Sequence, residues 1–150
     1  AGRDVTSEIR TPRVDAAVSS VSSVPAVRTS MVELQRKLAG SADVVAEGRD
    51  IGTVVFPDAE VKVFLTADAH ARAHRRSVQN TQRFGADVEQ ACEEDIYRRI
   101  VERDRADSTR ATAPLVAAED AVHIDSSSLG VAEVVRLVED LIDAAQAQEA

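Results

Sequence analysis

The chain has 150 residues, of which 44% are hydrophobic and 29% charged, and a formal net charge of −8. That length suits one domain with a real core, and the acidic balance argues against binding that relies on bulk positive charge, to nucleic acid or to an anionic membrane. No apolar run reaches the length of a membrane span, and the N-terminal AGRDVTSEIRTPR lacks the apolar stretch of a signal peptide, so the cytoplasm is the expected location.

In chain order, a first helix is predicted from near Pro12, since proline is tolerated in a first turn, and it ends before Pro25. A second runs over 25–38, with Val27, Met31, Leu34 and Leu38 on one face and Gly40 as its stop. Residues 44–46 and 61–65 are short strand candidates. Asp68 is placed to cap the next helix, which carries Arg72, Arg75 and Arg76 and is interrupted at Arg83-Phe84-Gly85. A further helix is predicted from near Asp87 towards Asp107, with Pro114 ending that region. AVHID, 121–125, reads as a third strand and 126–128 as a polar turn. The last helix, 131–147, repeats Val131, Val134, Val135, Val138, Leu141, Ile142 and Ala145 at helical spacing and is expected to pack against a sheet. Strands alternating with helices imply an α/β fold with a parallel sheet, although three short strands make a thin one. There is no internal repeat.

Of the 18 basic residues only Lys37 and Lys62 are lysine. Arginine's planar fork suits bidentate binding of phosphate or carboxylate, but a coding bias towards arginine explains the count equally well. Position is more informative. Arg72, Arg75 and Arg76 lie at i, i+3 and i+4, where like charges repel; a solvated face and a phosphate clamp both fit. Arg103, Asp107 and Arg110 share a face if their helix continues, as an ion-pair ladder or as part of a site, and Ser108 and Thr109 weaken helix propensity there. Arg49 and Asp50 follow a strand candidate and stand between Gly48 and Gly52, where tight turns or close ligand approach are allowed. A buried structural ion pair is the other reading of that dipeptide. His70, His74 and His123 show no metal-ligand pattern and are read as exposed. Cys92, the single cysteine, excludes an internal disulfide and is read as packing within a helix. Arginine clusters with few aromatics favour a small phosphorylated substrate over stacked nucleic-acid bases.

The stretch EGRDIGTVVFPDAEVKVFLTA, followed by RAHRR and then ERDRADSTRATAPL, closely resembles the bacterial cytidylate kinase family, and the upstream DVTSEIRT and SSVPAVR fit it too. The resemblance runs from about Asp4 to the last helix, with the motifs in family order. It implies a parallel-sheet, P-loop nucleoside monophosphate kinase-like fold and a (d)CMP kinase, which transfers the γ-phosphoryl group of ATP to CMP or dCMP with Mg2+. By resemblance, Ser19, Arg28 and Asp50 read the cytosine, whose edge suits a carboxylate acceptor, an arginine fork and a hydroxyl. Arg49 and Arg110 hold the CMP phosphate. Arg103 and Asp107 help hold the nucleotide, Asp107 near the ribose. Arg72, Arg75 and Arg76 belong to a lid, about 70–86, and stabilise charge during transfer, since phosphoryl transfer rests on positioning and electrostatics. The family is generally monomeric, with no nucleic-acid or membrane partner.

One departure matters. The family's P-loop, G-x-x-x-x-G-K-[ST], cradles ATP phosphates and holds magnesium, and no such pattern occurs in these residues. The resemblance therefore implies a fold incomplete at the N-terminus. Residues 1–40 would be the C-terminal part of the substrate-binding insertion and 41–150 the core α/β domain. The isolated chain is expected to be inactive. A catalytically silent nucleotide-binding module is the alternative, and a structural domain with solvated arginine faces a third.

Overall fold

The computed structural model describes residues 2–6, 8–84, 92–109 and 114–149. A short 3-10 turn, Glu8–Arg10, precedes α1 (Pro12–Ser22) and α2 (Pro25–Ala39). A π-helical turn, Ile51–Val55, leads to β1 (Val63–Thr66), then α3 (Ala69–Phe84), α4 (Glu93–Thr109), β2 (Val122–Asp125) and α5 (Val131–Glu149).

Local chemistry sets most of these boundaries. Val24 is extended, as a residue before proline must be, and Pro25 opens α2 where no N–H is needed. Gly40, at φ 58°, ends α2 and donates its N–H to the Arg36 carbonyl at 3.1 Å. Asp68 caps α3: its Oδ1 accepts from the His70 N–H at 2.8 Å and the Ala71 N–H at 3.4 Å. Those bonds hold its carboxyl below the ordinary carboxylate value.

β1 and β2 pair in parallel, Val63 opposite Val122 and Thr66 opposite Asp125. Parallel neighbours need a long connection, and α3 and α4, packed on each other, supply it. This agrees with the expected α/β class. Both strand ends point their carboxyl termini to the same side, where α3 and α5 begin.

Several expectations are corrected. Residues 44–46 form no strand: Val45 is 91% exposed, and no described residue closes a ladder with that segment. An extended run without a neighbour leaves its backbone to water rather than to a sheet. The face of α2 carrying Met31, Leu34 and Leu38 is exposed. The α5 stripe is only partly covered: Val131 and Val135 are exposed, and Val134, Val138, Leu141, Ile142 and Ala145 are half-buried. A two-stranded sheet is too narrow to cover a helix of that length, and among the described residues the buried apolar ones are Val55, Ala73, Ile96 and Ile124. Cys92 is exposed, not packed, and precedes α4, its carbonyl accepting from the Asp95 and Ile96 N–H groups at 2.9 and 3.1 Å. The start predicted near Asp87 lies outside the described residues. Among the described residues, no helix is long and apolar enough to cross a membrane.

Candidate nucleotide-binding site

The site is built around the turn that follows Arg49 and Asp50. The Asp50 carbonyl accepts from the Val54 N–H at 2.9 Å and the Val55 N–H at 3.2 Å, and the Ile51 carbonyl from the Phe56 N–H at 2.7 Å. Turns of this wide type are frequent at functional sites. Arg36 of α2 anchors it by donating to the Val54 and Val55 carbonyls at 2.7 and 2.8 Å. Gly48 acts by proximity rather than by backbone freedom. Neither Gly48 nor Gly52 has a positive φ, but a Cβ on Gly48 would come within 2.9 Å of Ile51 Cγ1.

Adjacent on the chain, Arg49 and Asp50 diverge. Asp50 forms an ion pair with Arg28 of α2, and the two side chains are 11% and 13% exposed. The Arg28 Nε is buried with no hydrogen-bond partner among the described residues. Ser19, the third expected base-reading residue, lies on α1 with its side chain outside the described set.

Arg49 turns instead to α4. It donates from Nη2 to Asp104 Oδ1 at 3.0 Å, and its Nε lies 2.9 Å from Asp107 Oδ2. Asp107 is buried and also faces Arg103 Nε at 3.7 Å. The helix does continue to Thr109, whose hydroxyl donates back to the Arg105 carbonyl at 2.8 Å. Arg110 lies outside the described residues. The other oxygen of Asp104 accepts from Arg72 Nη2 at 2.6 Å. Burial pushes the Asp104 carboxyl up, but hydrogen bonds from Arg72 and Arg49 outweigh that and hold it below the ordinary value. Arg49, Arg72 and Arg103 face Asp104 and Asp107, which leaves this group one positive charge in excess and suited to an anion.

Arg72, Arg75 and Arg76 share α3 but not their surroundings. Arg72 joins Asp104. Arg75 donates to the Ser126 hydroxyl at 3.2 Å, to the Ser126 carbonyl, and to the Leu129 and Ser127 carbonyls at 3.3 and 3.4 Å, which ties α3 to the turn after β2. Arg76 is exposed at the rim of a broad cleft of about 2980 Å³ that Arg49, Asp50, Arg72, Arg103 and Asp104 also line. His70, His74 and His123 are exposed, as expected. His70 stacks on Tyr97 at 4.1 Å, His74 Nδ1 lies 3.1 Å from Glu93, and His123 lies against Phe64. Among the described residues, no cluster of three or more His, Cys, Asp or Glu could hold a metal ion.

Two residues of this site escaped the sequence: Asp104 and Arg36. Asp104 sits in the charge-dense ERDRADSTR, but its partners are 55 and 32 residues away, beyond any spacing rule. Arg36 reads locally as an ordinary basic residue in the last turn of a helix.

The family model described as cytidylate kinase matches residues 1–144. Cytidylate kinase of Mycolicibacterium paratuberculosis is 54% identical over 142 residues, which are 94% of this chain and 60% of that protein. The enzyme of the same name from Pelotomaculum thermopropionicum is 54% identical over 137 residues, 91% of this chain and 59% of its own length. That of Mycobacterium avium is 52% identical over 142 residues, covering 94% and 60%. The chain thus spans about 60% of the length of these relatives. A match of this extent and identity leaves one conclusion: the chain belongs to the cytidylate kinase family.

Proposed function

We propose that this chain supplies the substrate side of a (d)CMP kinase, ATP + (d)CMP giving ADP + (d)CDP. Family membership supports the reaction class, and the names of the relatives support the substrate. The observation that carries the reading is the divergence of Arg49 and Asp50. One turns to Asp104, Asp107 and the arginine-rich side of the cleft, the other to Arg28. A nucleoside monophosphate needs two such separate recognitions, a charged one for phosphate and a directional one for the base.

In this reading Ser19, Arg28 and Asp50 select cytosine, and Arg49 with Arg110 holds the substrate phosphate. Arg103 and Asp107 hold the nucleotide, and Arg72, Arg75 and Arg76 close over the phosphates. Residues 1–40 belong to the substrate-binding insertion and 41–150 to the core, with the lid at about 70–86. ATP is the donor, and its phosphates and Mg2+ are held by a P-loop that these residues do not include. Among the described residues no group of three or more His, Cys, Asp or Glu could hold the ion. The working enzyme is monomeric and cytoplasmic, without nucleic-acid or membrane partners.

Coupled ADP release by the complete gene product, with ATP and each monophosphate in competition, tests this. CMP or dCMP is expected to give the highest kcat/KM. Preference for UMP or AMP would refute the assignment.

A further inference from the structure

Asp104 lies on α4, between an arginine before the π-turn and an arginine on α3. Each carboxylate oxygen serves one of them, Oδ1 for Arg49 at 3.0 Å and Oδ2 for Arg72 at 2.6 Å. Their dependence on it differs. Arg49 keeps a second carboxylate, Asp107, at 2.9 Å. For the Arg72 guanidinium, Asp104 is the only hydrogen-bond acceptor among the described residues, and the Arg72 Nε is buried without a partner. Two guanidinium groups this close repel unless an anion lies between them. Asp104 is that anion when no phosphate is present, and it does so from α4 while both arginines keep other donors available.

We propose that Asp104 is a positioning residue that holds Arg49 and Arg72 as a paired seat for the phosphoryl group in transfer. The inference rests on the functional reading above, in which both arginines meet phosphate. A transferring phosphoryl group spreads its charge over three equatorial oxygens, so donors aimed from two sides act on it together. Asp104 fixes the relation between those two sides, and it links the lid helix to the loop that holds the substrate. Because Arg49 retains Asp107, the loss of Asp104 falls on Arg72 and on the transition state more than on ground-state binding of CMP.

The test uses the complete gene product, assayed where circular dichroism shows each variant folded. Asp104→Asn is expected to lower kcat about tenfold, the scale of one charge-assisted hydrogen bond, and to change KM for CMP by less than about threefold. Asp104→Glu, which restores the charge, is expected to recover part of that loss. Arg72→Ala should cost less in the Asp104→Asn background than in the unsubstituted protein, because Asp104 acts through Arg72. Unchanged kcat in folded Asp104→Asn would overturn the proposal, as would strict additivity of the two substitutions. If Asp104→Asn does not fold, the equally uncharged Asp104→Ser carries the test, and an unaltered kcat there overturns it. No CMP-dependent turnover in the unsubstituted protein would instead remove the functional reading on which the proposal stands.

Discussion

Arg28 and Asp50 are each more than four-fifths buried, and each is the other's ion partner. A buried pair of this kind answers two demands, folding and recognition, and a single substitution disturbs both. Asp50→Ala leaves an arginine uncompensated, which is expected to cost about 3 kcal/mol, and it removes the carboxylate proposed to accept from cytosine. The two effects are separable, because replacing both partners of a buried pair by apolar groups is often neutral. Arg28→Met combined with Asp50→Leu is therefore expected to recover most of the stability in urea denaturation, while the kcat/KM preference for CMP over UMP stays lost. A double variant that kept the CMP preference would return the pair to a purely structural role. Asp104 poses the contrasting case. It is about a quarter exposed, so its ion pairs contribute little to folding, and its importance lies in what it aligns.

At the scale of elements, α3 matters most, because it joins the strand end to the arginines. Its start is fixed by Asp68, whose carboxylate accepts two N–H groups of the first turn. The bond from His70 is the stronger influence holding that carboxyl below its usual value. A depressed folded value means that the cap's contribution is fully present above the unfolded value of about 3.9 and disappears as pH falls through the lower, folded one. Asp68→Ala is accordingly expected to lower Tm at pH 7, with the gap from the unsubstituted protein closing as pH falls through the folded value. A gap independent of pH would show that the carboxylate charge is not what caps α3. Further along, Arg75 joins the helix to the Ser126 and Leu129 carbonyls, so α3 is tied to its surroundings at both its first and second turns. The cap was legible in the sequence because its bonds span two and three residues. The Arg75 link was not, because it spans more than 50.

Over the whole molecule, a two-stranded sheet carries helices whose apolar faces it cannot cover. The stripes of α2 and α5 obey helical periodicity, yet that of α2 is mostly exposed and that of α5 only partly covered, and Arg49, Arg72, Arg76 and Arg103 line one broad cleft. No ATP phosphate cradle of the P-loop pattern occurs in these 150 residues. The isolated chain is thus expected to show no CMP-dependent ADP release under conditions where the complete gene product turns over. Measurable turnover by the chain alone would overturn that. Calorimetric titration of the chain with CMP then decides whether it is a silent binding module, which binds without turnover, or binds nothing by itself.

What the sequence determined by itself is what nearest neighbours along the chain decide: the helix starts at Pro12, Pro25 and Asp68, the stop at Gly40, the two strands that survive, and motifs dense enough to show the family. Caps, proline geometry and periodicity act over a few residues, and they were readable for that reason. Val44 and Val45 mark the limit. Their composition is that of a strand, but a strand exists only where a neighbour accepts its hydrogen bonds, and none is found among the described residues. Only the tertiary structure parted Arg49 from Asp50, sent Arg72 to Asp104 and Arg75 to the turn after β2, and put Asp104 between Arg49 and Arg72. Those choices depend on which charges meet across the fold, and Coulomb attraction is indifferent to distance along the chain.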